Sequence, residues 1–237
     1  MRIYFRGNLY GCNQATAFVE DKGKIIFIGS DKEALKYSGE QIDLNNKYVY
    51  PGFNDSHMHL VNYGQSLKNV LLEKHTNSLK ALLEELKKHL VKGQWLIGRG
   101  WNHDYFTDEQ RFPTRKDLDM ISEEEPIVIT RTCGHILVAN SKAIELANIS
   151  SEAVEGGYFD LDAGLFQENA LYLIYDTIPQ PTIEEIKDNI LIAQKELHSY
   201  GITSVQSDDL LSATSDYHDA LQAFEQLRAE NKLTIRV

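Results

Sequence analysis

A nine-residue segment, PGFNDSHMH at positions 51–59, constrains the fold of this chain more than any other. It follows an extended run and opens on a Pro-Gly pair, so it predicts a strand that leads to two histidines. Because side chains alternate between the faces of a strand, His57 and His59 point the same way. Neutral imidazole is the commonest ligand of zinc and related metals. The pair is therefore a candidate metal site, and Asp55 is a candidate acceptor that orients a ring.

The histidine pair is weak support by itself, because two of the eight histidines in the chain fall two apart easily by chance. The alternative interpretation is an exposed strand end without a ligand. Both interpretations stay open at this point.

The charge of the chain excludes two classes of main partner. Lys and Arg number 24 and Asp and Glu number 35, so the formal net charge is −11. Such a chain is poorly suited to a nucleic-acid duplex or an anionic membrane, and we expect neither as a partner. No stretch approaches the roughly 18 apolar residues of a membrane span. Cys12 and Cys133 form no CxxC pattern, and they predict free thiols in a reducing cytoplasm.

The order of the predicted elements indicates an α/β protein. Residues 1–50 predict short strands, with a hairpin at the Asp-Lys-Gly turn of residues 21–23. A leucine stripe capped by Asn77-Ser78 predicts a helix over Leu79–Leu90. A capping box at residues 182–185 opens a second long helix, which Gly201 ends.

The last part of the chain alternates strands and helices. We predict a strand over Ile202–Val205, a helix over Asp216–Ala229 and a strand over Leu233–Val237. This is the rhythm of βα units around a parallel sheet.

Four more motifs follow the histidine pair. They are GRGWN at 98–102, RTCGH with VANSKA at 131–143, GLFQENA at 164–170 and GITSV at 201–205. Together with PGFNDSHMH they resemble the amidohydrolase superfamily of metal-dependent hydrolases, in its amidohydrolase family 3 type. The resemblance runs along the whole chain.

The resemblance implies a TIM-barrel fold in which the two histidines end the first barrel strand. Residues 1–50 would be strands of a side β-sandwich, 51–64 the first barrel strand, 65–180 a large α+β insertion, and 181–237 further barrel helix–strand units. A complete barrel needs at least about 200 residues of its own, and only 36 residues run from Ile202 to Val237. We therefore expect an incomplete TIM-barrel fold, the N-terminal part of a longer enzyme.

The resemblance also implies a divalent metal, which we expect to be zinc, with one or two ions in the complete enzyme. Its other ligands are a bridging Lys or Glu and two further histidines, and an Asp acts as the base. These belong to later strands, and no residue of this chain can be assigned to them. We expect His57 and His59 to be metal ligands, and we assign no catalytic residue here.

Five further residues are candidates for the substrate pocket, and each has a plain structural alternative. Trp101 is equally well a core residue, Asn102 part of a solvated loop, and His135 a structural histidine. Glu168 is equally well a surface or capping residue. Arg131 lies at a strand end, where it would contact polar groups of a substrate.

The functional expectation is a fragment of a metal-dependent amidohydrolase that hydrolyses a C–N bond of a small-molecule amide or cyclic amide. The isolated chain is expected to be inactive. One alternative is a non-catalytic half-barrel or binding module that pairs with another chain, with homo-oligomers formed through exposed sheet edges. Another is a simple metal-binding protein that uses the two histidines.

Overall fold

The computed structural model describes residues 1–75, 77–150, 153–209, 214 and 216–237. The chain divides into two compact units. The first unit comprises Met1–Asp55 with Gly201–Ser204, and the second comprises Ser56–Tyr200 with Val205–Val237. The domain limits inferred from the resemblance, at residues 50, 64 and 180, stay predictions.

The first unit consists mainly of short strands. Its elements are β1 (Arg2–Phe5), β2 (Asn8–Leu9), β3 (Ala17–Asp21), β4 (Lys24–Gly29), α1 (Asp31–Ala34), β5 (Glu40–Asp43) and β6 (Tyr48–Val49). Four strands form a sheet in the order β4-β3-β1-β5, and β2 pairs with β6. The predicted hairpin is confirmed: Lys22 and Gly23 between β3 and β4 both have positive φ, as a type I′ turn requires.

The second unit alternates helices and strands. It contains α2 (Leu60–Lys68), β8 (Val70–Leu71), α3 (Leu79–Lys88), β9 (Leu96–Trp101), α4 (Arg115–Asp119), β10 (Ile127–Arg131), β11 (Ile136–Ala139), α5 (Ser141–Ala147), β12 (Gly157–Asp160), β13 (Leu165–Glu168), α6 (Tyr172–Tyr175), α7 (Ile183–Ser199) and α8 (Tyr217–Ala229). Three 3₁₀ turns lie at Glu73–His75, His103–Tyr105 and Asn169–Leu171.

A six-stranded sheet in the order β12-β13-β11-β10-β9-β8 is the main scaffold of the second unit. Because successive residues of β10 point to opposite faces, Ile127 and Ile129 join one hydrophobic cluster with α3, while Val128 joins another with α5 and α6. Hydrophobic clusters therefore pack on both faces of the sheet.

The predicted helix starts are confirmed. The Ser78 hydroxyl accepts a hydrogen bond from the Ala81 amide at 2.9 Å at the start of α3. Thr182 and Glu185 form the predicted capping box of α7, and the side chain of Asp216 caps α8. These starts depend on residues three or fewer apart, so the local sequence is sufficient to specify them.

The strand β9 runs through two glycines, Gly98 and Gly100. Gly100 has φ of +96°, and a Cβ there would lie 2.4 Å from Cγ of Glu73. The register with β10 skips this residue, since Arg99 pairs with Thr130 and Trp101 pairs with Arg131. Gly100 is thus the extra residue of a β-bulge, a place where glycine fits best.

The strand β7 (Phe53–Met58) pairs with β14 (Ile202–Ser207). Phe53 N donates to Gly201 O at 2.8 Å and Asp208 N donates to Met58 O at 2.9 Å, so the two strands run in the same direction. This agrees with the expected parallel βα arrangement.

The prediction of a strand over Leu233–Val237 is wrong. Of these five described residues only Arg236 forms a bridge, accepting from the Val205 amide at 2.8 Å. Leu233 N donates to Leu227 O instead, and Thr234 N donates to Oε1 of Gln194. The Leu233 amide thus bonds to the last turn of α8, and the Thr234 amide bonds to a side chain of α7. Neither amide is available for a strand ladder.

The fold is mixed α/β, as the sequence predicted, while the details of an incomplete barrel stay predictions. None of the helices that the structure describes is long and apolar enough to cross a membrane.

Asn140 ties three parts of the second unit together. Its fully buried side chain accepts from the amides of Ile127 and Ala143, at 2.9 and 3.0 Å, and so joins β10 to the start of α5. Its Nδ2 donates to the carbonyls of Ser122 and Glu125, at 2.8 and 2.9 Å. All four hydrogen bonds come from one side chain.

We predict that Asn140→Ala lowers the free energy of unfolding by about 3 kcal/mol, because it leaves several buried backbone groups unpaired. Ser78→Ala is the matched control, since it removes a single cap and costs about 1 kcal/mol. Urea unfolding measures both values. Equal losses for the two variants would contradict the network role of Asn140.

Candidate functional site

The two histidines lie where β7 passes into α2. His57 is the penultimate residue of the strand and His59 occupies the N-cap position of the helix, and both side chains are exposed. Their ring centroids are 5.6 Å apart and the ring planes are inclined by 75°. The structure therefore brings the two imidazoles together, as the alternation of the strand predicted.

The ring of His59 is oriented by the backbone. Its Nδ1 is hydrogen-bonded to the carbonyl oxygen of Asp208. A carbonyl oxygen can only accept, so Nδ1 is the donor, and in the neutral tautomer with this proton Nε2 is the nitrogen with the lone pair. Metal-ligating histidines characteristically donate their second ring N–H to such an acceptor.

The residues after β14 also hold the start of α2. Leu60 N donates to Oγ of Ser207 at 3.0 Å. The buried carboxylate of Asp209 accepts from Val61 N at 3.0 Å and from Asn62 N at 3.4 Å. Ser207 Oγ also donates to this carboxylate. An anion at the amino end of a helix is favoured by the unpaired amides and by the helix dipole.

The pair fits part of a metal site. Two adjacent imidazoles, one with its tautomer fixed, match the donors that zinc takes in hydrolases. Among the described residues, no three His, Cys, Asp or Glu side chains form a group that could hold an ion. Asp55 lies two positions before His57 in β7, and its side chain is half-buried. Its orienting role stays a prediction.

The substrate-pocket candidates lie together at one end of the strands of the six-stranded sheet. Trp101 ends β9 and is in register with Arg131, which ends β10. His135 immediately precedes β11, and Glu168 ends the neighbouring β13. Residues distant in sequence thus meet at this end because the strands are adjacent.

Arg131 and Asn102 contact each other directly. Nη2 of Arg131 donates to Oδ1 of Asn102 at 2.9 Å and to Oδ2 of Asp104 at 2.7 Å. The guanidinium is mostly shielded from solvent, while Asp104 is exposed. Arg131 is therefore held by the loop after β9, and Asn102 is more ordered than a free solvated loop residue.

His135 and Glu168 form the second pair. Nδ1 of His135 lies 2.9 Å from Oε2 of Glu168, and both side chains are about two-thirds exposed. Glu168 has φ of 52° and ψ of −128°, a backbone conformation that residues other than glycine rarely adopt. The backbone of Glu168 is held in place by its amide, which donates to His135 O at 3.1 Å.

Trp101 is fully buried in the hydrophobic cluster on one face of the sheet. Its ring contacts Phe112 edge-to-face at a centroid distance of 5.7 Å. This placement favours the core interpretation over a pocket wall. Its Nε1 has no hydrogen-bond partner among the described residues.

Cys133 lies in the turn between β10 and β11, beside both pairs. Burial raises the pKa of its thiol, but the His135 amide and the Arg131 guanidinium lower it by more, so the pKa lies below its ordinary value. Cys12 and Cys133 are both free, as predicted.

Sequence reasoning missed Ser207, Asp208 and Asp209. The signal was present, because a Ser-Asp-Asp run follows the GITS strand directly. In parallel sheets the carboxyl ends of neighbouring strands meet at one edge. Once β14 is known to pair with β7, this run must lie near the histidines.

The chain is similar in sequence to the amidohydrolase family and to several of its relatives. The sequence profile of the Amidohydrolase family matches residues 40–237. The protein YtcJ of Bacillus subtilis (strain 168) is 31% identical over 239 residues, which cover 95% of this chain and 45% of YtcJ. The N-substituted formamide deformylase of Arthrobacter pascens is 30% identical over 157 residues, which cover 62% of this chain and 29% of that enzyme.

A solved structure shares the fold. The crystal structure of an uncharacterised metal-dependent hydrolase from Pyrococcus horikoshii OT3 matches with a TM-score of 0.75 and 33% identity. The match covers 99% of this chain and 47% of that chain. The chain thus spans about half the length of YtcJ and of the Pyrococcus protein.

We predict that Asp209→Asn lowers the free energy of unfolding by about 2 kcal/mol, because a charge-assisted bond to the start of α2 is lost. Asp188→Asn, on the exposed face of α7, is the matched control and should change the unfolding free energy little. Urea unfolding of the three proteins measures this. A loss for Asp188→Asn as large as that for Asp209→Asn would contradict the anchoring role.

We predict that Cys133 is alkylated with a pH midpoint below about 8.5, the value of an unperturbed thiol. The thiolate forms at lower pH because Arg131 and the His135 amide stabilise its charge. Iodoacetamide labelling against pH, in a Cys12→Ser background, measures the midpoint. Arg131→Gln should raise it, while Arg228→Gln, which removes an exposed arginine of α8, should leave it unchanged.

Proposed function

Because the chain belongs to the amidohydrolase family, we propose that it provides one part of the active site of a metal-dependent hydrolase. The observation that supports this most directly is the geometry at His59. Its Nδ1 is bonded to the Asp208 carbonyl, which makes Nε2 the nitrogen that would bind an ion beside the ring of His57.

The ion in this proposal is divalent, and we propose zinc, because imidazole nitrogen is a preferred zinc donor. When bound, such an ion supplies polarisation of the scissile carbonyl and activates water at neutral pH. His57 and His59 would hold it. Two imidazoles fall short of the three protein ligands of a catalytic zinc site, so further ligands would come from outside the described residues.

The other residues named above would hold the ligands and the substrate in position and would not take part in the reaction. Ser207 and Asp209 fix the start of α2, and so keep His59 in place relative to β7. At that end of the strands of the six-stranded sheet, Arg131 and the His135–Glu168 pair present polar groups that suit contacts with a polar substrate. Their place in a substrate pocket is part of the proposal.

We propose a small-molecule amide or cyclic amide as the substrate, cleaved at its C–N bond in the cytoplasm. In support, the Arthrobacter relative is named as an N-substituted formamide deformylase, an enzyme whose name describes cleavage of an amide. The common region is only 29% of that enzyme, so the exact amide remains part of the proposal.

A second candidate is a half-barrel that pairs with another chain. The edge strand β4 favours it, because Ile25, Ile26 and Ile28 are each about half exposed there. An exposed apolar edge strand is a template for pairing with a further strand. Sedimentation separates the candidates: concentration-dependent dimers that Ile26→Lys abolishes would support pairing, and a stable monomer would count against it.

We predict that the chain binds one Zn²⁺ weakly, and that His57→Ala or His59→Ala each weakens binding at least about tenfold, since a ligand of the ion is removed. Isothermal titration with Zn²⁺ in chelator-free buffer measures this. His89→Ala, an exposed helix histidine, is the matched control. Unchanged affinity in the His57→Ala/His59→Ala double variant would refute the proposed metal site.

The isolated chain should show no turnover of N-substituted formamides with added zinc, because its described metal ligands are too few. Turnover that is lost in His57→Ala would contradict this expectation, although it would support the proposed reaction class.

A further inference from the structure

A cavity of about 770 Å³ lies within the second unit. One wall consists of β9 and β10, with Ile97, Arg99 and Thr130. The facing wall comes from α2 and α7, with Gln65 and Asn189. Its volume suits a small molecule.

Arg99 provides a cation in this cavity. Its side chain is exposed, and it makes no ion pair with any residue that the structure describes. Arg99 and Thr130 are register partners on adjacent parallel strands, so their side chains leave the same face of the sheet. A guanidinium set in a concave wall is suited to a carboxylate.

A hydroxyl pair lies beside this cation. Thr130 Oγ1 and the Tyr175 hydroxyl are 2.7 Å apart. Each hydroxyl has one proton, and the bond between them uses only one of the two. The other proton is left to donate to a ligand. Burial raises the pKa of Tyr175, so its hydroxyl stays protonated at neutral pH.

The facing wall is closed by the buried side chain of Asn189. Asn189 is 1% exposed, and its Nδ2 donates to Oε1 of Gln65 at 2.8 Å. Its Oδ1 is buried and has no hydrogen-bond partner among the described residues. The side chain is held where α2 and α7 approach closely, since a Cβ on Gly64 would lie 2.0 Å from Asn189 O. Because this oxygen is not accessible from the cavity, Asn189 closes the facing wall and offers a ligand no acceptor.

The remaining charges in the lining limit the kind of ligand. Hydrogen bonds from Thr182, and then the positive charge of Lys68, lower the pKa of Glu185, so Lys68 and Glu185 offset each other. Asp176 is exposed and adds one negative charge. A lining that is neutral in sum does not favour a polyphosphate.

We propose that this cavity binds a small organic monocarboxylate. Its carboxylate contacts Arg99 and the free proton of the Tyr175–Thr130 pair. This goes beyond the proposed hydrolysis and is tested without a metal ion or turnover.

The experiment titrates the metal-free chain with N-acetylglycine and follows binding by calorimetry. Arg99→Gln should raise the Kd at least about tenfold, because a charge-assisted contact is lost. Tyr175→Phe should raise it less, because one hydroxyl of the pair remains. Arg228→Gln removes an arginine outside the cavity and should leave the Kd unchanged, and equal midpoints of thermal unfolding establish that the variants are folded.

N-acetylglycinamide, which lacks the negative charge, tests the role of the carboxylate and should bind more weakly than N-acetylglycine. Equal affinity for the two compounds would overturn the proposal. So would a Kd for Arg99→Gln within about twofold of the parent value, or no saturable binding of N-acetylglycine by the parent chain.

Discussion

The contact between the end of β14 and the turn from β7 into α2 is the interaction on which the candidate metal site depends. Three successive residues take part: Ser207 and Asp209 bind the first amides of α2, and the Asp208 carbonyl orients the ring of His59. Helix amides left unpaired by the geometry of an α-helix are thus satisfied by the neighbouring strand. The segment that anchors the start of the helix also sets the direction of an imidazole, so the stability of the helix start and the orientation of His59 are coupled.

The six-stranded sheet has a comparable role for the polar side chains at one end of its strands. Hydrophobic clusters cover both of its faces, and the strands are therefore rigid platforms whose ends hold polar groups in register. The bulge at Gly100 brings Trp101 opposite Arg131, and Asn140 fastens β10 to α5. The cavity beside Arg99 uses the middle of the same sheet, where a strand face meets α2 and α7.

Prediction from sequence succeeded where the controlling contacts are local. The caps at Ser78 and Thr182 and the Lys22-Gly23 hairpin all join residues only a few positions apart. It failed at Leu233–Val237, where the amides bind helix ends instead of a strand. It also left Trp101 undecided, because a tryptophan at a strand end has the same sequence pattern whether it packs in a core or lines a pocket. The burial of Trp101 depends on Phe112 and on the helices α3 and α4, which pack in the same cluster.

The sequence by itself determined the α/β class, the family and the two imidazoles that alternate onto one side of a strand, because each of these depends on short-range pattern. Only the tertiary structure decided which groups meet: the Asp208 carbonyl with His59, Glu168 with His135, and the hydroxyl of Thr130 with that of Tyr175. The members of such sets lie from about 30 to 150 positions apart. Their proximity results from strand order and helix packing, which minimise exposed apolar surface over the whole unit and leave no signature in any one segment.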